Sequence, residues 1–118
     1  MANNLKSWTS LGAVVLTAAP QNLDALFPGL AEMTVSAIYF QAHEENLVAT
    51  LQPPAPAGLV FIGDRTQLAS GVNSARVLSG PLDDFRIENQ GGMDTLDPTD
   101  FSLFSTPTGQ RVRVGYQI

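Results

Sequence analysis

Cysteine is absent from the 118-residue chain, which excludes disulfides, thiol nucleophiles and thiolate metal sites. Histidine occurs once, at His43, so the paired helical histidines of a zinc protease cannot be assembled. Charge is scarce as well. Charged residues make up 14% of the chain, against roughly 25% in an ordinary soluble domain, and a surface so poor in charge is expected to be covered in part by partners. Basic residues are the fewest: six Lys or Arg stand against eleven Asp or Glu, a net charge of −5, and only Arg111 and Arg113 lie close together. Neutralising phosphates takes a clustered basic footprint, so neither nucleic acid nor an anionic membrane surface is an expected partner. No apolar run is long enough to span a bilayer, and an N-terminus interrupted by Trp8 and Gly12 lacks the apolar core of a signal peptide. Synthesis and folding in a cytoplasm are the expectation.

What is present is apolar residues, 44% of the chain, enough for one core in one domain. The stretch around which the rest is organised is Gly58 to Asp64. Leu59, Val60, Phe61 and Ile62 form a short β-branched and aromatic run bounded by glycines, preceded by the proline-rich segment Gln52 to Ala57, and read as a central strand covered on both faces. Residues 1–11 read as an N-terminal arm and 12–118 as the domain. Ala13 to Ala18 is a strand stopped by Pro20, which cannot donate to a ladder. Asn22 to Gly29 is suited to one helical turn capped by Asn22, with Leu23, Leu26 and Phe27 inward.

Met33 to Ala42 returns to strand character, with Val35, Ala37 and Tyr39 on one face and Ile38 and Phe40 on the other. His43 to Asn46 is a polar turn, Leu47 to Leu51 a short strand, and Gln52 to Ala57 an extended connection. Arg65 to Ser74 is expected to be a loop, and Ala75 to Leu78 a brief strand. Asp83 to Glu88 alternates, with Phe85 and Ile87 inward, and Phe101 to Phe104 is a further strand. In Gln110 to Ile118 the alternation is cleanest: Val112, Val114, Tyr116 and Ile118 share one face, which places the last residue in the core. Seven to eight short strands with no crossover helix predict an all-β fold, a single antiparallel β-sandwich or jelly-roll-like domain.

Catalytic machinery is not recognisable. His43-Glu44-Glu45 supplies adjacent residues whose side chains do not converge on a metal, so a solvated loop is expected there. No Gly-x-Ser-x-Gly elbow surrounds any serine. Asp94, Asp97 and Asp100 place hard oxygen ligands in one loop, with Asp83 and Asp84 as possible neighbours, but their spacing misses the calcium-loop pattern, and acidic turns serve capping and solubility. Asp64 reads as a turn residue. Gly91-Gly92 precedes no helix and reads as a turn, not a phosphate cradle. No enzyme activity, cofactor or metal is expected. The arm residues Leu5 and Trp8 are the candidate partner interface, Trp8 either capping the domain's own core or anchoring a neighbour.

The order of features carries a resemblance. Val15-Leu16-Thr17-Ala18 before Pro20-Gln21, the Leu-Phe-Pro-Gly turn at Leu26 to Gly29, an aromatic strand ending at Phe40, Phe61-Ile62-Gly63-Asp64, and Leu78-Ser79-Gly80-Pro81-Leu82-Asp83 resemble the small β-sandwich virion proteins of tailed bacteriophages. The likeness covers residues 12 to 90 and is to head decoration, minor capsid or fibre-base proteins. It implies a non-enzymatic subunit that binds the major capsid protein as a homo-oligomer, commonly a trimer, on the capsid surface after assembly in the bacterial cytoplasm. Leu5 and Trp8 would then reach a neighbouring subunit. A neck, tail or head-fibre component, or a surface carbohydrate-binding module, is the alternative.

Overall fold

Short apolar runs with period two, separated by Gly, Pro, Asn and Asp, bury their apolar residues only when one strand face packs against a second layer. A computed structural model of the chain describes residues 8–64, 76–88 and 96–118. Within them the chain is an all-β domain of ten short antiparallel strands forming three sheets in a sandwich-like arrangement. The strands are β1 (Thr9–Val15), β2 (Gln21–Asn22), β3 (Ala37–Ala42), β4 (Thr50–Leu51), β5 (Pro54–Ala55), β6 (Leu59–Asp64), β7 (Arg76–Ser79), β8 (Asp84–Glu88), β9 (Phe101–Thr106) and β10 (Arg111–Gln117). One helical turn, α1 (Leu23–Leu26), follows β2, and 3-10 turns occupy Pro28–Leu30 and Pro98–Asp100.

The first sheet has the order β1-β10-β3-β8 and the second β2-β9-β6-β7. These eight strands pair like one long hairpin doubled back on itself, β1 with β10, β2 with β9, β3 with β8 and β6 with β7. The chain changes sheet at each step along the eight except from β6 to β7, and the β10–β3 and β9–β6 ladders join the pairs into sheets. β4 and β5 form a separate hairpin, inserted between β3 and β6.

The core lies between the two larger sheets. Ile38, Phe40 and Ala42 of β3 and Val112 and Val114 of β10 meet Val60 and Ile62 of β6, Leu78 of β7 and Leu103 of β9, all fully buried. The Phe40 ring meets that of Phe101 edge-on, with centroids 5.9 Å apart. Leu16, Leu23, Leu30 and Val35 complete the same cluster from outside the long strands.

Four expectations need correction. Ile118 is 69% exposed because the last rung of the β10–β3 ladder is Gln117↔Ala37, so the terminal residue runs past the sheet. Central strand β6 is buried on one face only: Val60 and Ile62 point inward, while Leu59 and Phe61 are half-buried on the outside. There Phe61 stacks on Phe104 with centroids 4.4 Å apart and rings nearly parallel, a cross-strand pair replacing a covering layer. The strands also outnumber the seven or eight expected, since β2, β4 and β5 have two residues each, too few to show a period. β3 is shorter than the Met33 to Ala42 run: Val35 joins through an isolated bridge to Leu96. The Arg65 to Ser74 loop lies outside the described residues.

Removing the Phe40 ring empties the centre of this core. Phe40→Ala is expected to lower the unfolding free energy by about 3–5 kcal/mol, measured by urea denaturation. Val77→Ala, on the same fold but 38% exposed, should cost about 0.5 kcal/mol or less.

Candidate functional site

The turn after β3 sets the first part of the site. His43 donates its backbone N–H to the Arg111 carbonyl at 3.0 Å, and its Nδ1 accepts the Glu45 N–H at 3.1 Å. Asn46 then imitates a strand residue. Its Oδ1 accepts the Arg111 N–H at 2.7 Å and its Nδ2 donates to the Arg111 carbonyl at 2.8 Å. The fold back over β10 buries His43, where a solvated loop was expected. His43 therefore braces a turn, and among the described residues no three Asp, Glu or His side chains gather to hold a metal.

Two guanidiniums from β10 secure the outside of this turn. Arg113 meets Glu44 through two contacts, Nη1 to Oε2 at 2.7 Å and Nη2 to Oε1 at 2.9 Å, the forked geometry that matches a carboxylate. Arg111 reaches Glu45 at 2.9 Å. The hydrogen bond from Arg113, joined by one from the backbone N–H of Glu44 itself, holds the Glu44 carboxyl down at about 2, from an ordinary 4.5.

Beyond Asn46 the chain leaves the sheets and returns at Gly58. The excursion is closed at its base by the Gly58 N–H donating to the Leu47 carbonyl at 2.9 Å, while the Leu47 N–H donates to the Gln110 Oε1 at 3.0 Å. Gln110 is buried, and a Cβ on Gly58 would run into its side-chain amide, so a glycine is required at the point where the chain re-enters. Between these anchors β4 and β5 form a flap, with the Thr50 hydroxyl donating to the Pro53 carbonyl at 2.7 Å. Loops with joined ends are compact and often functional.

The flap exposes large apolar side chains. Leu47 is 49% exposed, Val48 60% and Leu51, beside the tip, 89%. Three exposed apolar side chains within five residues of one anchored loop offer apolar area that another molecule can cover. The sequence contained the raw signal, Leu51 next to the prolines. Alternation alone points to a strand over Leu47 to Leu51; the structure keeps only Thr50–Leu51 as strand and closes the excursion by the return of Gly58 onto Leu47.

The residues proposed from sequence fall in several places. Leu5 lies outside the described residues. Trp8 rests edge-to-face on Tyr39, centroids 5.0 Å apart and rings at 85°, so it covers the outer face of the first sheet and does not enter the core. Asp94 and Gly91-Gly92 also lie outside the described residues. Asp97 accepts from the Thr99 N–H and hydroxyl at 2.9 and 2.8 Å, capping the 3-10 turn that contains Asp100. Asp83 accepts the Ser79 and Asp84 N–H groups, and Asp64, the last residue of β6, pairs with Phe101. These acidic residues serve turns and strand ends at separate positions.

No family model, curated protein or solved structure matches the chain. The site therefore rests on its own geometry.

Two outcomes are expected. Because the folded-state pKa of Glu44 is depressed, the stability it adds is complete above pH 4.5 and is lost as pH falls through about 2. The melting temperatures of wild type and Glu44→Gln, followed across that window, should differ at neutral pH and converge below it; a constant gap would count against the assignment. Separately, Gly58→Ala should displace Gln110 and speed hydrogen exchange at the Leu47 amide by about tenfold or more, with the core strands protected as before.

Proposed function

We propose that the chain is a structural virion protein of a tailed bacteriophage, a capsid decoration protein that binds the major capsid protein and stabilises the head without catalysing a reaction. The observation that carries this reading is the flap: a loop with a fixed base that offers Leu47, Val48 and Leu51 to solvent on a chain with few charges to keep it apart from neighbours. Apolar side chains held in place before binding lose little conformational freedom when a partner covers them.

The architecture supports the same reading. Strand orders β1-β10-β3-β8 and β2-β9-β6-β7, with the chain wound as a doubled hairpin, fit a jelly roll, an arrangement used by viral capsid and lectin domains. Fold alone names no function; the flap gives it a contact. On this reading the partner surface includes the flap as well as the arm bearing Leu5 and Trp8, and the bound form is a trimer with closed symmetry on the capsid surface.

Quantitative mass spectrometry of purified particles of the encoding phage tests the proposal. About one copy per major capsid subunit, or a fixed simple fraction set by capsid symmetry, is expected. A count in the tens or below would assign the chain to the neck, tail or fibres, and absence from the particle would overturn the virion reading. In binding assays with empty capsids, Leu51→Asp should weaken association by about tenfold or more without changing the unfolding midpoint.

A further inference from the structure

A groove of about 410 Å³ opens on the outside of the first sheet, lined by Trp8, Tyr39, Asp84, Phe85 and Arg86. It is built from register. Tyr39 stands opposite Arg86 on one side and Gly115 on the other, and a Cβ on Gly115 would collide with the Tyr39 ring. The glycine thus provides the seat in which the ring lies across the sheet. Trp8 meets that ring at 85°, so two aromatic walls adjoin at a right angle.

Facing them are two groups of opposite character. The Asp84 carboxylate, an acceptor only, makes no hydrogen bond or ion pair among the described residues. Arg86, a donor only, is held at 3.0 Å by Glu88, which leaves other N–H groups of its five to donate. We propose that this groove is a saccharide-binding site.

The chemistry selects that ligand class. A sugar ring has an apolar C–H face that lies against an indole or phenol ring, and a rim of hydroxyls that both donate and accept. Asp84 takes hydroxyl protons and Arg86 donates to hydroxyl oxygens, and hydrogen bonds to ionised groups are the stronger ones. An anionic ligand would meet the Asp84 carboxylate. A purely apolar one would desolvate both charges without replacing their hydrogen bonds. The volume lies in the range of sites that hold small molecules. The inference is tested apart from the capsid reading, because the flap and the groove share no residue and carry different substitutions; Trp8, which the capsid reading places on the partner surface, also lines the groove and is left unchanged in both tests.

Trp8 is the only tryptophan in the chain, so its fluorescence reports on the groove alone. The full chain is titrated with maltose, cellobiose, lactose and N,N′-diacetylchitobiose to about 50 mM, a range that reaches weak single-site binding. At least one is expected to shift the emission saturably, and Asp84→Asn and Arg86→Ala should each weaken that sugar by about tenfold. Both positions are exposed, and circular dichroism should show both variants folded. Silence from all four sugars, or wild-type affinity in both variants, would overturn the proposal. Emission that changes on dilution without sugar would overturn it too, by giving the groove to a second copy of the chain.

Discussion

The strict alternation of β10 is the constraint on which the rest of the molecule depends. Its inward residues Val112 and Val114 sit at the centre of the core, paired with Ala42 and Phe40 across the ladder. Its outward residues each hold something else: Arg111 and Arg113 secure the turn at 43–46 through Glu45 and Glu44, and Gly115 makes room for Tyr39. Gln110, just ahead of the strand, clamps the flap. A one-residue slip in register would exchange the two sets, burying two guanidiniums and exposing two valines. Core and surface features are thus specified together, and neither can be moved without the other.

The inward half of this arrangement was legible in the sequence and the outward half was not. Period two in Gln110 to Ile118 and in Asp83 to Glu88 identified the inward faces as far as Tyr116 and at Phe85 and Ile87, since burial of one face is what selects such a pattern. The helical turn at Leu23–Leu26 was legible from its apolar spacing, but the cap expected from Asn22 is not made: Asn22 accepts from the Ser102 hydroxyl at 2.6 Å and makes no side-chain cap. The roles of Gln110 and Gly115 had no local signal. They arise from contacts with Leu47, Gly58 and Tyr39, more than fifty residues away along the chain, and alternation carries no information about which strands become neighbours.

The same limit explains the errors at the chain's edges. Ile118 continues the periodic pattern of β10, but a pattern describes a face only while a partner strand runs beside it, and β3 supplies none past Ala37. Leu47 to Leu51 has strand-like composition, yet the neighbours that would bury it are absent: β4 pairs only with β5, and their hairpin stands apart from the two larger sheets. In both places the residues are apolar and the structure leaves them in water. At Ile118 this follows from the ladder's end. At the flap it comes with a clamped base, a glycine fitted to the clamp and three exposed apolar side chains, a combination that a simple overrun would not produce.

Both proposed contact surfaces depend on β10, and their spacing along it decides whether they compete. Gln110 anchors the flap and Gly115 seats the aromatic groove, five residues apart, or roughly 17 Å at about 3.4 Å per residue of antiparallel strand. Between them lie the Arg111–Glu45 and Arg113–Glu44 pairs. Charges already satisfied within the chain add little to a new contact and cost desolvation if covered, so this strip favours remaining hydrated. A large apolar partner seated on the flap therefore has reason to stop short of it, and the groove stays open to solvent unless the same partner also takes Trp8. On the two proposals together, the chain would hold a shell through one end of a strand and present a sugar-sized cleft at the other.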